Sequence, residues 1–285
     1  MQNNGNGTNK INEAIKRAAE EKGKAFQAGP AMPAAPATPG APAAAQRPVG
    51  EAPMQVRAEA ALSSGINKKI VAYHNPGSPV AEQFHAICTH IFCPERENKL
   101  RSVIITSASN GEGKSVAAAN LAIVASQHSG RPTLLVDCNF RKPSIGGLMG
   151  VSSEKGLGEL LSGAADISGV TAACDIKNLS IIPAGHTQGN PNELLSSQKM
   201  KDVLFELKGK YDRIILDTPA VIPYSDARIL SHIADGTVLV IRAGRTRREV
   251  VARAESVLKS VGANILGYVL TGIEYHIPEY IHRHL

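Results

Sequence analysis

The sequence predicts an α/β protein: a doubly wound, mostly parallel sheet with helices on both faces, preceded by a disordered Ala/Pro-rich segment. Three observations predict it. Six apolar runs of five to seven residues alternate with helical patterns, as in a parallel sheet covered on both sides. The first run, SVIIT (102–106), leads through the glycine-rich SASNGEGKS (107–115) into a helical stretch, VAAANLAIVASQ. Two further runs end in aspartate, TLLVD at Asp137 and RIILD at Asp217.

The chain has 285 residues, 43% of them hydrophobic and 20% charged, with a net charge of +6. That composition suits a globular domain with a real core. The charge alone permits acidic partners, but no recognition motif accompanies it, so no nucleic acid is expected. No apolar run approaches the roughly 20 residues that cross a bilayer, and the polar start MQNNGNGTNK lacks a signal-peptide core. The chain is expected in the cytoplasm, and at the inner face of the cell membrane only through a partner.

From the N-terminus, residues 1–27 form a tail with a short amphipathic helix at 8–22, where Ile11, Ala14, Ile15 and Ala18 share a face. It reads either as a frayed solvated tail or as a docking peptide. Residues 28–69 are a linker. Pro30, Pro33, Pro36, Pro39 and Pro42 recur every third residue, the period of a semi-rigid polyproline II spacer. The globular domain spans 70–274. It opens on a helix at 80–92 that Pro94 stops, with Phe84, Ile87, Cys88 and Ile91 on one face. Cys88, His90 and Cys93 lack a second ligand pair at zinc spacing, so no metal is expected and the cysteines read as buried thiols. The strands follow at 102–106, 133–137, 179–184, 213–217, 237–243 and 266–271. Thr246 and Glu249 form a T-x-x-E capping box that predicts a helix start there, with Arg247 and Arg248 in its first turn. Those arginines read as a solvated face or as neighbours of an anionic group. Residues 275–285 are a C-terminal tail.

The strand–loop–helix context of SASNGEGKS makes it a P-loop, and the fold a P-loop NTPase. Backbone N–H groups around Gly111 and Gly113 face phosphate, aided by the positive end of the helix that follows. Asn110, Gly111, Glu112, Gly113, Lys114, Ser115 and Val116, together with Arg242, are the candidate nucleotide-binding residues. Lys114 is positioned for the β- and γ-phosphates and the Ser115 hydroxyl for Mg2+. Asp137 and Asp217 end neighbouring strands at the ligand crevice, where an acid can hold Mg2+.

GEGKS, LLVDCNFRKP, PNELLSS (191–197), YDRIILDTPA and VIRAGRTRREV together resemble the bacterial tyrosine kinases of capsule and exopolysaccharide synthesis, relatives of the Min and Par ATPases. The likeness runs from about Val80 to Glu274. Ser109 stands where the partition ATPases carry a signature lysine, which sets this loop with the kinases. The resemblance implies that Gly111, Gly113, Lys114 and Ser115 are the Walker A residues, that Asp137 and Asn139 stand in Walker A′, and that Asp217 is the Walker B acid. It implies Mg-ATP as cofactor, and catalytic roles for Lys114, Asp137 and Asp217, with Asp137 as base. It also implies phosphorylation in trans of tail tyrosines, here Tyr275 and Tyr280. A separate membrane polysaccharide co-polymerase is the implied activator, and self-association is compatible with it.

Four departures accompany the likeness. Asn139 replaces the second Walker A′ aspartate. The ring-forming Glu-x-x-Arg-x-x-Arg appears as Glu82, His85 and Cys88. Thr271 replaces an asparagine, and the tail has only two tyrosines. The rival reading is a non-kinase P-loop ATPase that acts as a nucleotide-dependent switch on a polysaccharide or secretion complex.

Overall fold

The computed structural model describes residues 65–92, 100–187 and 189–273. The expected helix at 8–22, the proline spacer at 28–62, Tyr275 and Tyr280 lie outside the described residues.

Seven strands form one sheet in the order β3-β4-β2-β5-β1-β6-β7. They are β1 (Ser102–Ser107), β2 (Thr133–Asp137), β3 (Ala172–Ala173), β4 (Leu179–Ile182), β5 (Arg213–Asp217), β6 (Gly236–Arg242) and β7 (Ile265–Thr271). All neighbours are parallel except β3, which runs antiparallel to β4. The six apolar runs are the six parallel strands. Every residue of β1, β2 and β5 is buried, which is why their sequences read as continuous apolar runs rather than as alternation. β4 stops at Ile182, before the expected end at 184. The carbonyls of Pro183 and Ala184 turn instead to the N–H groups of Leu157 and Gly158. Gly156 makes that approach possible: a Cβ there would lie 2.1 Å from the Pro183 carbonyl oxygen.

One face of the sheet is covered by α1 (Val71–His74), α2 (Pro79–Ile91), α3 (Lys114–Gln127) and α4 (Ile145–Met149). The other is covered by α5 (Leu157–Ser162), α6 (Ile167–Val170), α7 (Pro191–Ser196), α8 (Gln198–Lys210), α9 (Asp226–Leu230) and α10 (Arg248–Ser260). α3 is the central helix: eleven of its fourteen residues are buried, as expected of a helix apolar all round. Its alanines let α1 and α2 approach. Asn120, buried within it, accepts from the Ala72 N–H and donates to the Val116 carbonyl, so no polar atom of its amide is stranded. Arg213 closes the other end of α3 by donating to the carbonyls of Ala125 and His128. Packing begins ahead of residue 70: Ile66 lies against the α3-side core and the Asn67 N–H donates to the Leu148 carbonyl.

α10 begins one residue later than the capping box predicts. Arg247 is its N-cap and no side chain caps it. The Thr246 hydroxyl is drawn away by Glu112 of the P-loop, to which it donates. Only Arg248 therefore sits in the first turn.

Candidate active site

The parallel register sets the two acids side by side. Asp137 pairs with Asp217 across β2 and β5, and Asp217 pairs with Ile105 of β1, the strand that feeds the P-loop. The loop runs from Ala108 to Gly113 and leads directly into α3. Gly111 and Gly113 have φ of +81° and +88°, values that favour glycine and turn successive N–H groups to one side. Ala108, where a P-loop usually has its first glycine, packs its methyl into the core with no exposure. That position has room for a Cβ.

Both carboxylates are fully buried. Asp137 Oδ1 accepts from the Asn139 N–H at 3.0 Å, and Oδ2 accepts from the N–H groups of Ser144 and Ile145 at 2.9 and 3.0 Å. Burial pushes its pKa up, against the pull of these three donors and of the Lys114 charge; the net direction is upward. Asp217 is different. Neither of its oxygens has a hydrogen-bond partner. Burial, and then the Asp137 charge, push its pKa up to about 8, while the nearby Ser115 hydroxyl and Lys114 draw it down without closing a hydrogen bond. Two adjacent buried carboxylates, one of them without a donor, call for positive charge at this spot. Among the described residues no three His, Cys, Asp or Glu side chains converge into a metal cage. The donor set instead suits Mg2+, which usually takes one or two carboxylates and completes its shell with phosphate oxygens and water. Asn139 offers little to a cation, because its side-chain oxygen accepts from the Lys142 N–H within its own turn.

The remaining candidates divide by position. Lys114 is 8% exposed and Glu112 2% exposed, whereas Asn110 and Gly111 are open to solvent. Ser115 is half-buried at the mouth. The side chain of Val116 packs on the core, leaving its backbone to face the loop. Arg242 reaches the loop from outside and donates to the Gly111 carbonyl at 3.3 Å.

Several contacts of the site are not legible in the sequence. Glu112 points inward, where its carboxylate accepts from the Ser109 N–H and from Thr246. Its carbonyl accepts from the Thr271 hydroxyl at 2.6 Å. The P-loop is thus clamped by the end of β7 and by the loop before α10. Arg141, just past Asp137, forms a two-pronged pair with buried Asp226 of α9, at 3.1 and 2.9 Å. It also donates to Asn192 of α7 and lies 4.4 Å over the Tyr224 ring. This one side chain ties the loop after β2 to two helices. In the sequence Asp226 looks like an ordinary first-turn acid, and nothing local distinguishes it.

No protein-family model matches the chain. Known proteins do. The tyrosine-protein kinase YwqD of Bacillus subtilis (strain 168) is 37% identical over 209 residues, which is 73% of this chain and 88% of YwqD. The chain belongs to the bacterial tyrosine-protein kinases. The tyrosine-protein kinase CpsD of Streptococcus agalactiae serotype III is 34% identical over 70% of this kinase and 85% of its own length. Among solved structures, the kinase domain of the Escherichia coli tyrosine kinase ETK matches with a TM-score of 0.70 and 29% identity, over 73% of this kinase and 82% of that chain. The septum site-determining protein MinD from Pyrococcus horikoshii, complexed with Mg-ADP, matches at a TM-score of 0.52 and 28% identity, over 65% and 76%. The P-loop ATPase fold and the kinase assignment therefore both stand, and the non-kinase switch reading gives way.

Proposed function

We propose that this kinase transfers the γ-phosphate of Mg-ATP to Tyr275 and Tyr280 of a second copy, within capsule or exopolysaccharide synthesis and under a separate membrane polysaccharide co-polymerase. The observation that carries the chemistry is the buried Asp137–Asp217 pair beside Lys114, with both Asp217 oxygens unpartnered. The polysaccharide setting and the co-polymerase rest on the motif resemblance. Among the described residues no helix is long and apolar enough to cross a membrane. Residues 8–22 are our candidate docking element for it.

The residues divide the work as follows. The N–H groups of the P-loop from Gly111 to Ser115 bind the phosphates, and Lys114, 8% exposed, reaches the β- and γ-phosphates. Ser115 and Asp217 would hold Mg2+, with Asp137 beside them. When bound, the ion spreads the negative charge of the β- and γ-phosphate oxygens. A phenol with a pKa of about 10 is a weak nucleophile at neutral pH. Asp137 is our base: three N–H donors fix its orientation, and Oδ1, with one donor, has a lone pair left. The phenolic oxygen bonds to the γ-phosphorus as the bond from that phosphorus to the β–γ bridging oxygen breaks. The phenolic proton passes to Asp137, and ADP leaves with the bridging electron pair. Ordering by P-loop donors and transfer of the proton are separable. Asp137→Asn should keep nucleotide affinity within a few-fold but lower phosphotyrosine formation by on the order of 10²-fold. Undiminished phosphotyrosine in that variant would remove Asp137 as base.

A further inference from the structure

Away from the P-loop, the helical layer contains a cavity of about 460 Å³, within the range of sites that take a small ligand group. It lies among α7, α8, α9 and the end of α10. Leu195, Ile229 and Ile233 give it apolar walls, and Lys201, Arg228 and His232 supply its charged and titratable groups. None of the described residues lining it is acidic. The acids nearby in sequence are taken: Asp226 by Arg141 and Asp235 by Lys208. Among the described residues Lys201, Arg228 and His232 join no ion pair. The Nε of Arg228 is fully buried and has no hydrogen-bond partner.

A buried guanidinium N–H without an acceptor is costly. The Arg228 side chain that carries it is partly exposed and lines a cavity with cationic groups and greasy walls, while Nε itself is shielded from that space. The ligand that suits the basic groups and the walls is an anion on an apolar body. Arg favours phosphate because its forked donors match two phosphate oxygens. A flat ring would cover the isoleucine and leucine walls.

We propose that this cavity is a phosphotyrosine-binding site that receives the phosphorylated C-terminal segment of a second copy of this chain. It rests on the proposed tail phosphorylation, since that reaction makes the ligand. Arg228 and Lys201 would meet the phosphate, with His232 at the rim and the ring against Leu195, Ile229 and Ile233. The kinase would then hold its own product at a site distinct from the one that makes it.

The test uses the full chain and a synthetic peptide of residues 273–285, with and without phosphate on both tyrosines, followed by fluorescence anisotropy. The phosphorylated peptide should bind at least about tenfold more tightly than the plain one. Arg228→Ala should remove about tenfold or more of that affinity, and exposed Lys201→Ala, which should leave folding intact, several-fold. Arg228→Lys should retain part of it. Lys114→Met should bind the phosphopeptide as the wild type does. Equal binding of the two peptides would overturn the proposal. So would phosphopeptide binding that survives Arg228→Ala and Lys201→Ala but is lost in Lys114→Met, because the product would then be held in the active site. The peptide is made chemically, so failure of the kinase to phosphorylate its own tail would not alter this result.

Discussion

Asp217 is the residue on which the site's electrostatics turn. In an unfolded chain an aspartate titrates at about 4. Buried in the native protein, next to Asp137, it keeps its proton to about 8. Between those values the unfolded chain has released a proton that the native state still holds. The stability of the nucleotide-free protein must therefore fall as pH rises from about 4 to about 8. The size of the fall is on the order of a few kcal/mol. Asp217→Asn removes the charge without changing the shape. It should flatten most of that slope and raise stability at about pH 8, as read by urea unfolding without Mg2+ across this pH range. An unchanged slope in the variant would mean that Asp217 is not held protonated.

At the scale of elements, Arg141 joins the loop after β2 to α7 and α9. Asp226 has no exposure, so removing its partner strands a charge. Arg141→Ala should cost on the order of 3 kcal/mol, measured by urea unfolding; a loss below about 1 kcal/mol would show that water reaches Asp226 freely. The pair also marks the limit of what the sequence reveals. Strands covered on both faces must be apolar throughout, so β1, β2 and β5 were legible as runs. The strand–loop–helix of the P-loop was legible because Gly111 and Gly113 answer to local backbone geometry. β3 is two alanines and leaves no pattern. Thr246 was misread because its choice between capping α10 and bonding Glu112 is made by a residue 134 positions away. Asp226 was missed for the same reason: its partner lies 85 positions earlier.

At the scale of the whole molecule, the question is how copies meet. On α2, Cys88 occupies the place of a ring-forming arginine, and it is fully buried in the α3-side core. A thiol turned inward offers nothing to a neighbour, and His85 cannot supply a forked arginine–carboxylate contact. The isolated chain should therefore form no stable ring; light scattering that finds one at micromolar concentration would place the contact elsewhere. The proposed phosphorylation in trans would then depend on encounters that the proposed membrane partner concentrates. The most direct test is peptide-resolved mass spectrometry of the full chain after incubation with Mg-ATP, with and without the cytoplasmic segment of a candidate co-polymerase. The account predicts phosphate on Tyr275 or Tyr280 in the wild type, more with the partner, and none in Lys114→Met. ATP turnover with both tyrosines unmodified under activation, or phosphate on them in Lys114→Met, would contradict it.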